Sequence, residues 1–475
     1  MKGRKQDKIA VIRSHEVMSK IAEDKEQELI ERALKAARDT RYLAVEAEIR
    51  HRTAGIFASM FGSREAVVVA DGNTYEAAGR DVEMSFAREN RPLRKPFIFG
   101  PHIYANIECV QELVAALREH DAIPVAVGSG TVNDLTKLAA HQTNRQYMVV
   151  GTAASMDGYS AYGASITVAG SKDTIECPAP LAVLADLDVI ALAPTEMNAW
   201  GYGDLMAKVV AGADWILADA AGVEAINPPV WETVQGLLRS WIGSPDAIAA
   251  SDPTALKHLV HGLVMSGFAM QSCLNSRPAS GAEHQFSHLW DMQHHTFQGK
   301  TPSHGFKVGI GVLASLALQE DLLKRDLHSF DIDAAVLAWP SMNELEQKMH
   351  GLFGAGALRT RGIEETRAKY VSGDALRRQL TRLKENWTEV QAKMFEQLIP
   401  FSELRDMLRR AGCPFEPMQI GISPARLRLS FQQCCYMRRR YTVLDVMQRL
   451  GLFDSALDNL FGPEGPWPIE GEELP

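Results

Sequence analysis

Ile123–Ala140, IPVAVGSGTVNDLTKLAA, sets the reading of this 475-residue chain. Ile123–Val127 alternates small and β-branched apolar residues, as a buried strand does. It runs into Gly128-Ser129-Gly130-Thr131-Val132-Asn133-Asp134, after which Leu135–Ala140 reads as helix. Strand, glycine loop and helix start together aim backbone N–H groups and a helix dipole at a phosphate. The loop is neither Gly-x-Gly-x-x-Gly nor a Walker loop, so by spacing alone a structural turn explains it equally well.

Upstream, Glu23 to Arg50 reads as helix, with Leu29, Ala33 and Ala36 on one apolar face. Ala66–Ala70 is a short strand ending in Asp71-Gly72-Asn73-Thr74. That turn is either plain punctuation or part of the carboxyl edge of a sheet, where ligands of open α/β folds bind. Phe97–Phe99 reads as strand and Ile107–Glu119 as helix. Downstream, the strand Tyr147–Val150 leads into Gly151-Thr152-Ala153-Ala154-Ser155-Met156-Asp157-Gly158. Ile166–Ala169 and Thr174–Cys177 read as a hairpin joined by Gly-Ser-Lys-Asp, and Leu181–Ala185 as the last main strand.

After Pro194 the texture changes to helices: Trp200–Ala220, Val230–Trp241, Thr254–Ser272, Gly281–His294, much of Gly309–Asp326, and Ala375–Leu398. This divides the chain into an α/β domain (1–194), a helical domain (195–461) and a loose tail (462–475), with a site in the cleft between the domains.

The helical half holds the chemistry. Ser280–Leu313, SGAEHQFSHLWDMQHHTFQGKTPSHGFKVGIGVL, contains five of the fourteen histidines. His284 and His288 share a helix face, and His304 follows a loop. Imidazoles from two segments plus a carboxylate suit a divalent metal. Asp204, in Gly-Tyr-Gly-Asp, supplies that carboxylate or else caps a helix. His288 is a fourth ligand, a group that binds substrate and relays its proton, or a surface residue; the substrate role leaves a coordination position open. Lys208 and Lys307 either bind a phosphate or sit on the surface. His294 and His295 read as loop or solvent-facing residues, and Trp200, Trp215 and Trp290 as packing aromatics.

Composition narrows the class. The chain is 46% apolar with a net charge of −9, which argues against a general nucleic-acid binder. The six cysteines show no paired spacing and read as reduced cytoplasmic thiols. There is no signal-peptide core and no membrane span of about 18 apolar residues.

GSGTV (128–132), GTAASMDG (151–158), GYGDLMAK (201–208), GAEHQFSH (281–288) and HGFKVG (304–309) resemble, in order, the sn-glycerol-1-phosphate dehydrogenase family. That family lies within the iron-containing alcohol dehydrogenase and dehydroquinate synthase superfamily. The resemblance implies an α/β nucleotide-binding domain followed by an all-α metal domain. It implies that Gly128, Ser129, Gly130, Thr131 and Val132 carry the dinucleotide pyrophosphate and Asp71 the adenosine ribose. Thr152, Ala153, Ala154 and Ser155 would line the nicotinamide side, and Asp157 would touch substrate. Asp204, His284 and His304 would bind the metal, leaving His288 to the substrate. Zn²⁺ suits that donor set; Ni²⁺ or Fe²⁺ also fit.

Two positions depart from the family pattern. Ala161 stands where a serine is common, and Phe306 where a glutamate is common. The implied reaction is NAD(P)H-linked interconversion of dihydroxyacetone phosphate and sn-glycerol 1-phosphate. The alternatives are an unphosphorylated polyol such as glycerol, a dehydroquinate-synthase-like cyclisation, or a catalytically silent scaffold. Homo-oligomers are compatible with the sequence.

Overall fold

The computed structural model describes residues 20–469, apart from 22, 102, 169 and 170. A six-stranded parallel sheet organises the first half. Its strands are β1 (Tyr42–Glu46), β2 (Ala66–Asp71), β3 (Leu93–Phe99), β4 (Ile123–Gly128), β5 (Met148–Gly151) and β8 (Ala182–Asp186), in the order β1-β8-β5-β4-β2-β3. The inner strands β2, β4, β5 and β8 are apolar on both faces because both are covered, while the edge strand β3 exposes Arg94 and Lys95. On β2, Val67 and Val69 pack on one core cluster with Leu113 and Leu135. Val68 and Ala70 pack on the other with Phe57, Val82 and Phe86. The chain leaves β2 for helix Arg80–Arg88 on one face and β4 for helix Gly130–Gln142 on the other. The crevice between the carboxyl ends of β2 and β4 is therefore a topological switch point.

Several sequence expectations shift. The first helix covers residues 23–36, not Glu23 to Arg50. Its buried face is Leu29, Ile30 and Ala33, with Ala37 buried just past its end, and Ala36 is exposed. The next stretch becomes β1 because pairing with β8 buries Ala44 and Val45. The helix after the glycine loop starts at Gly130, five residues earlier than Leu135. β6 (Ala164–Val168) and β7 (Ser171–Ile175) form the hairpin with Val168 opposite Ser171. The joint is thus 169–170, outside the described residues, and Ser171–Asp173 are strand, not turn.

The second half is helical. Val230–Trp241 is two helices, Pro228–Gln235 and Leu238–Ile242, parted at Gly236. Ala375–Leu398 also divides, into Gly373–Glu385 and Trp387–Gln397. Asn386 ends the first of these by donating Nδ2 to the Arg382 carbonyl at 2.8 Å. Residues 462–469 are no loose tail. Trp467 is buried against Phe461, Phe431 and Phe401, and residues 470–475 lie outside the description. Among the described residues, no helix is long and apolar enough to cross a membrane.

Candidate metal centre and cleft

Three backbones meet where the glycines are. A Cβ on Gly201 would lie 1.9 Å from the Ala154 carbonyl oxygen, and one on Gly305 would lie 1.8 Å from that of Trp200. A Cβ on Gly203 would come within 2.5 Å of the Gly305 oxygen. Only glycine lets helix Thr195–Ala220 lie this close to the 151–158 loop and to helix His304–Leu323. Gly311 does the same service beneath helix Ala282–Met292, where a Cβ would sit 2.3 Å from the Glu283 oxygen. Gly201, Gly203, Gly305 and Gly311 are thus spacers that bring Asp157, Asp204, His284 and His304 together.

Asp204 is fully buried in the interior of its helix, so it is not an N-cap. Its Oδ1 lies 3.5 Å from His284 Nε2, and its Oδ2 accepts the Asp157 N–H at 2.9 Å. One donor atom from each of Asp204, His284 and His304 lies within 4.8 Å of the other two. His304 opens its helix, and its Nδ1 is 3.2 Å from Ser287 Oγ. His288 is half-buried at the cleft, its ring 6.2 Å from that of His284 and 6.4 Å from that of His304. A carboxylate and two imidazoles at this spacing fit a divalent metal.

Lys208 overturns both sequence readings offered for it. It is fully buried, with Nζ 2.7 Å from Asp157 Oδ2 and 3.2 Å from Asp204 Oδ1. Its ammonium is one turn below Asp204 and neutralises two carboxylates. Burial pushes Asp204 up, but Lys208 and the two histidines more than offset this and hold it well below the usual carboxylate range. Asp157 goes the other way: burial and the neighbouring Asp204 charge raise it. For His284, burial pulls down while hydrogen bonds to Asp204 and Glu283 raise it above the ordinary histidine value. Lys307 is likewise buried and paired, with Asp291. His295 is buried between the Ile420 carbonyl and Arg426, not solvent-facing.

Of the donor set, His304 faces a cleft of about 820 Å³, with Asp204 and His284 buried behind it. Ser129, Gly130, Thr131, Ser155, Asp157, His288 and His304 line it. The helix beginning at Gly130 therefore presents its first turn to the cleft. Gly128, Val132, Thr152, Ala153 and Ala154 are buried and do not line it. They support it: the Thr152 N–H donates to the Gly128 oxygen at 3.2 Å, and the Ala153 oxygen accepts from Tyr159. Asp71 ends β2, and its Oδ1 caps the turn by accepting the N–H groups of Asn73 and Thr74. Trp215 and Trp290 pack as expected, but Trp200 lines the cleft, with its ring edge-on to Phe306.

Residues 44–194 match the family model described as iron-containing alcohol dehydrogenase. The chain is 32% identical over 287 residues to glycerol-1-phosphate dehydrogenase (NAD(P)+) of Halalkalibacterium halodurans, covering 58% of this chain and 70% of the relative. It is 30% identical to the Geobacillus thermodenitrificans enzyme of the same name, over 80% of this chain and 86% of that one. The chain belongs to the glycerol-1-phosphate dehydrogenase family. An archaeal relative, from Pyrococcus furiosus, is 34% identical over 53% of this chain and 70% of its own length. Glycerol dehydrogenase from Schizosaccharomyces pombe shares the fold with a TM-score of 0.57 at 13% identity, over 89% of this chain and 91% of that one. Family membership accounts for the order of the five motifs. Gly201, Gly203 and Gly305 within them now have a steric reason as well.

Glu283 is the residue that sequence reasoning missed. It is fully buried, and its Oε1 stands 2.8 Å from His284 Nδ1. Neighbours i and i+1 on a helix do not face each other, so spacing gave no reason to pair them. The remaining signal was a lone Glu beside a candidate ligand histidine.

Proposed function

We propose that this chain interconverts dihydroxyacetone phosphate and sn-glycerol 1-phosphate with NAD(P)H and one divalent metal ion. One observation carries the reading: the Asp204, His284 and His304 donors cluster together, and His304 lines a cleft that also receives the first turn of the Gly130 helix. The relatives' shared name supplies the substrate. Bound there, the metal would act as a Lewis acid and the nicotinamide would carry the hydride.

The rest of the chemistry falls to side chains. Asp204, His284 and His304 would hold the metal, with Zn²⁺ suited to the donors and Ni²⁺ or Fe²⁺ alternatives. Main-chain N–H groups at Ser129–Thr131 would take the pyrophosphate, with Asp71 toward the ribose. Gly128 and Val132 would shape that turn from below, and Thr152–Ser155 would shape the nicotinamide side. Lys208 holds Asp157 Oδ2, which leaves Oδ1 for a substrate hydroxyl. A ring nitrogen of His288 would take the hydroxyl proton in oxidation and return it in reduction. Dividing the chain at Pro194, which precedes helix Thr195–Ala220, would put cofactor binding in one domain and metal binding in the other. The absence of a membrane-crossing helix among the described residues and the six free cysteines are in keeping with a cytoplasmic enzyme.

An assay panel of dihydroxyacetone phosphate, dihydroxyacetone and glycerol, each with NAD(H) and NADP(H), tests this. Turnover confined to dihydroxyacetone phosphate is expected. Preference for the unphosphorylated alcohols would reject the substrate, and absence of net cofactor consumption would reject the reaction class.

A further inference from the structure

We propose that Glu283 is the positioning residue that fixes the tautomer and orientation of His284, and so sets the affinity of the metal centre. The proposal rests on the metal reading above and deepens it. Glu283 Oε1 accepts the Gly281 N–H at 2.6 Å and meets His284 Nδ1 at 2.8 Å. With Nδ1–H donated to that oxygen, the lone pair of His284 is on Nε2, the atom 3.5 Å from Asp204 Oδ1. A carboxylate on the far nitrogen of a ligand imidazole orients the ring and raises its basicity.

The carboxylate is itself braced. A Cβ on Gly281 would lie 2.5 Å from Asp214 Oδ2 and 2.8 Å from Glu283 Oε2, so the two acids crowd the bare Cα of that glycine. Asp214 accepts the N–H of Ala282 at 2.8 Å and of Val443 at 2.9 Å. Arg277 donates to the Tyr441 oxygen at 2.8 Å and the Asp214 oxygen at 2.7 Å. Arg440 donates to the Ser280 oxygen at 2.6 Å. Segment 440–443 therefore clamps the turn that precedes the His284 helix. Lysine cannot reproduce this: Arg277 reaches two acceptors and Arg440 three, each through both terminal nitrogens of a planar fork.

The test compares full-length wild type with Glu283→Gln and Glu283→Leu. Three quantities are read: Zn²⁺ affinity by competition with a chromogenic chelator, the visible spectrum of the Co²⁺-loaded protein, and NADH binding by fluorescence. Glutamine keeps an acceptor for Nδ1–H and loses the charge, so about tenfold weaker Zn²⁺ binding is expected; leucine keeps neither, so about a hundredfold is expected. The Co²⁺ bands should shift in both, with NADH affinity unchanged. A purely structural role would lower the melting temperature and leave the bands in place. Should Glu283→Leu prevent folding, Glu283→Gln decides alone. Wild-type-like Zn²⁺ affinity and Co²⁺ bands in a folded variant overturn the positioning role and spare the metal reading. Failure of wild type to bind Zn²⁺ or Co²⁺ at all overturns both.

Discussion

On the sheet side of the cleft, Ser129, Gly130 and Thr131 offer main-chain N–H groups from a helix start. On the helical side, Asp204, His284 and His304 offer side chains, two of them buried. The first arrangement needs room and carries no formal charge. The second puts ionisable groups out of water, and each must be compensated. Lys208 lies between Asp157 and Asp204, and Glu283 stands behind His284. Substitutions should therefore act differently on the two sides: by steric intrusion on the sheet side, by uncompensated charge on the helical side.

The largest effect should come from the donors themselves. His304→Ala and His284→Ala should lose metal and activity together, with a rate loss on the order of a thousandfold or more. His288→Ala should keep near-stoichiometric metal and lose catalysis, since it lies at the cleft outside the donor cluster. Elemental analysis beside steady-state rates decides between them. A metal-free His288→Ala with a metal-bound His284→Ala would reverse the two assignments.

Next in size is the compensating cation. Lys208→Met leaves the buried Asp204 and the partly buried Asp157 facing each other and should cost about 3 kcal/mol in denaturant unfolding. The cost should shrink when Zn²⁺ is present, because the ion supplies positive charge at Asp204. An equal loss with and without Zn²⁺ would mean that the ammonium and the metal do not share that carboxylate.

A pair of glycines separates the two sides more finely. In Gly305→Ala the new Cβ meets the Trp200 carbonyl oxygen at 1.8 Å, and backbone cannot swing aside. Overpacking of this kind should cost about 1–3 kcal/mol and loosen the donor cluster. In Gly130→Ala the Cβ meets Met156 Cε at 2.5 Å, the far end of a flexible side chain. Stability should change by no more than about 0.5 kcal/mol, while NADH affinity falls about tenfold as Cβ intrudes where phosphate approaches. Fluorescence titration and thermal melts on both variants read this, and a Gly130→Ala that binds NADH like wild type would break the comparison.

How much of this is legible in sequence follows the same division. Parallel strands buried on both faces show as apolar runs, and β2, β4, β5 and β8 can be read to within a residue or two of their ends. β1 cannot, since Tyr42–Glu46 is short and becomes strand only through β8, well over a hundred residues away. Helix breaks at Gly236 and Asn386 are hidden because periodicity runs through them. At the site, the candidate ligand histidines stand out by residue type and spacing, and the family resemblance singles out His284 and His304 among them. Their partners do not stand out: Lys208 and Lys307 read as surface residues as readily as ligand-binding ones, because nothing local tells a buried, paired lysine from a solvated one. Pro, Gly and Glu content suggests a loose tail, yet Trp467 anchors its described part in an aromatic cluster.

The smallest expected effect lies at the seam between the two halves. Helix 23–36 precedes the sheet in sequence but reaches the helical half through Glu26. Its Oε1 accepts from Trp241 Nε1 at 2.6 Å and stands 3.1 Å from His261 Nδ1, with His258 3.9 Å from Oε2. Burial raises this carboxyl, but the contact with His261 and the hydrogen bond from Trp241 outweigh it and bring it down to about 2 from 4.5. A carboxyl with a depressed folded-state pKa binds fewer protons than in the unfolded chain between those two values. Its stabilisation is therefore complete above about pH 4.5 and is lost as the pH falls toward about 2. Allowing for partial exposure, the term is on the order of 1 kcal/mol. Glu26→Gln should be less stable than wild type at pH 5, with the margin narrowing as the pH falls below that. Urea midpoints of both proteins at pH 7, 5 and 3.5 measure it. A margin that widens on acidification would mean that the carboxyl is raised by its burial and not lowered by its partners, and that the seam is held by the apolar face of helix 23–36 alone.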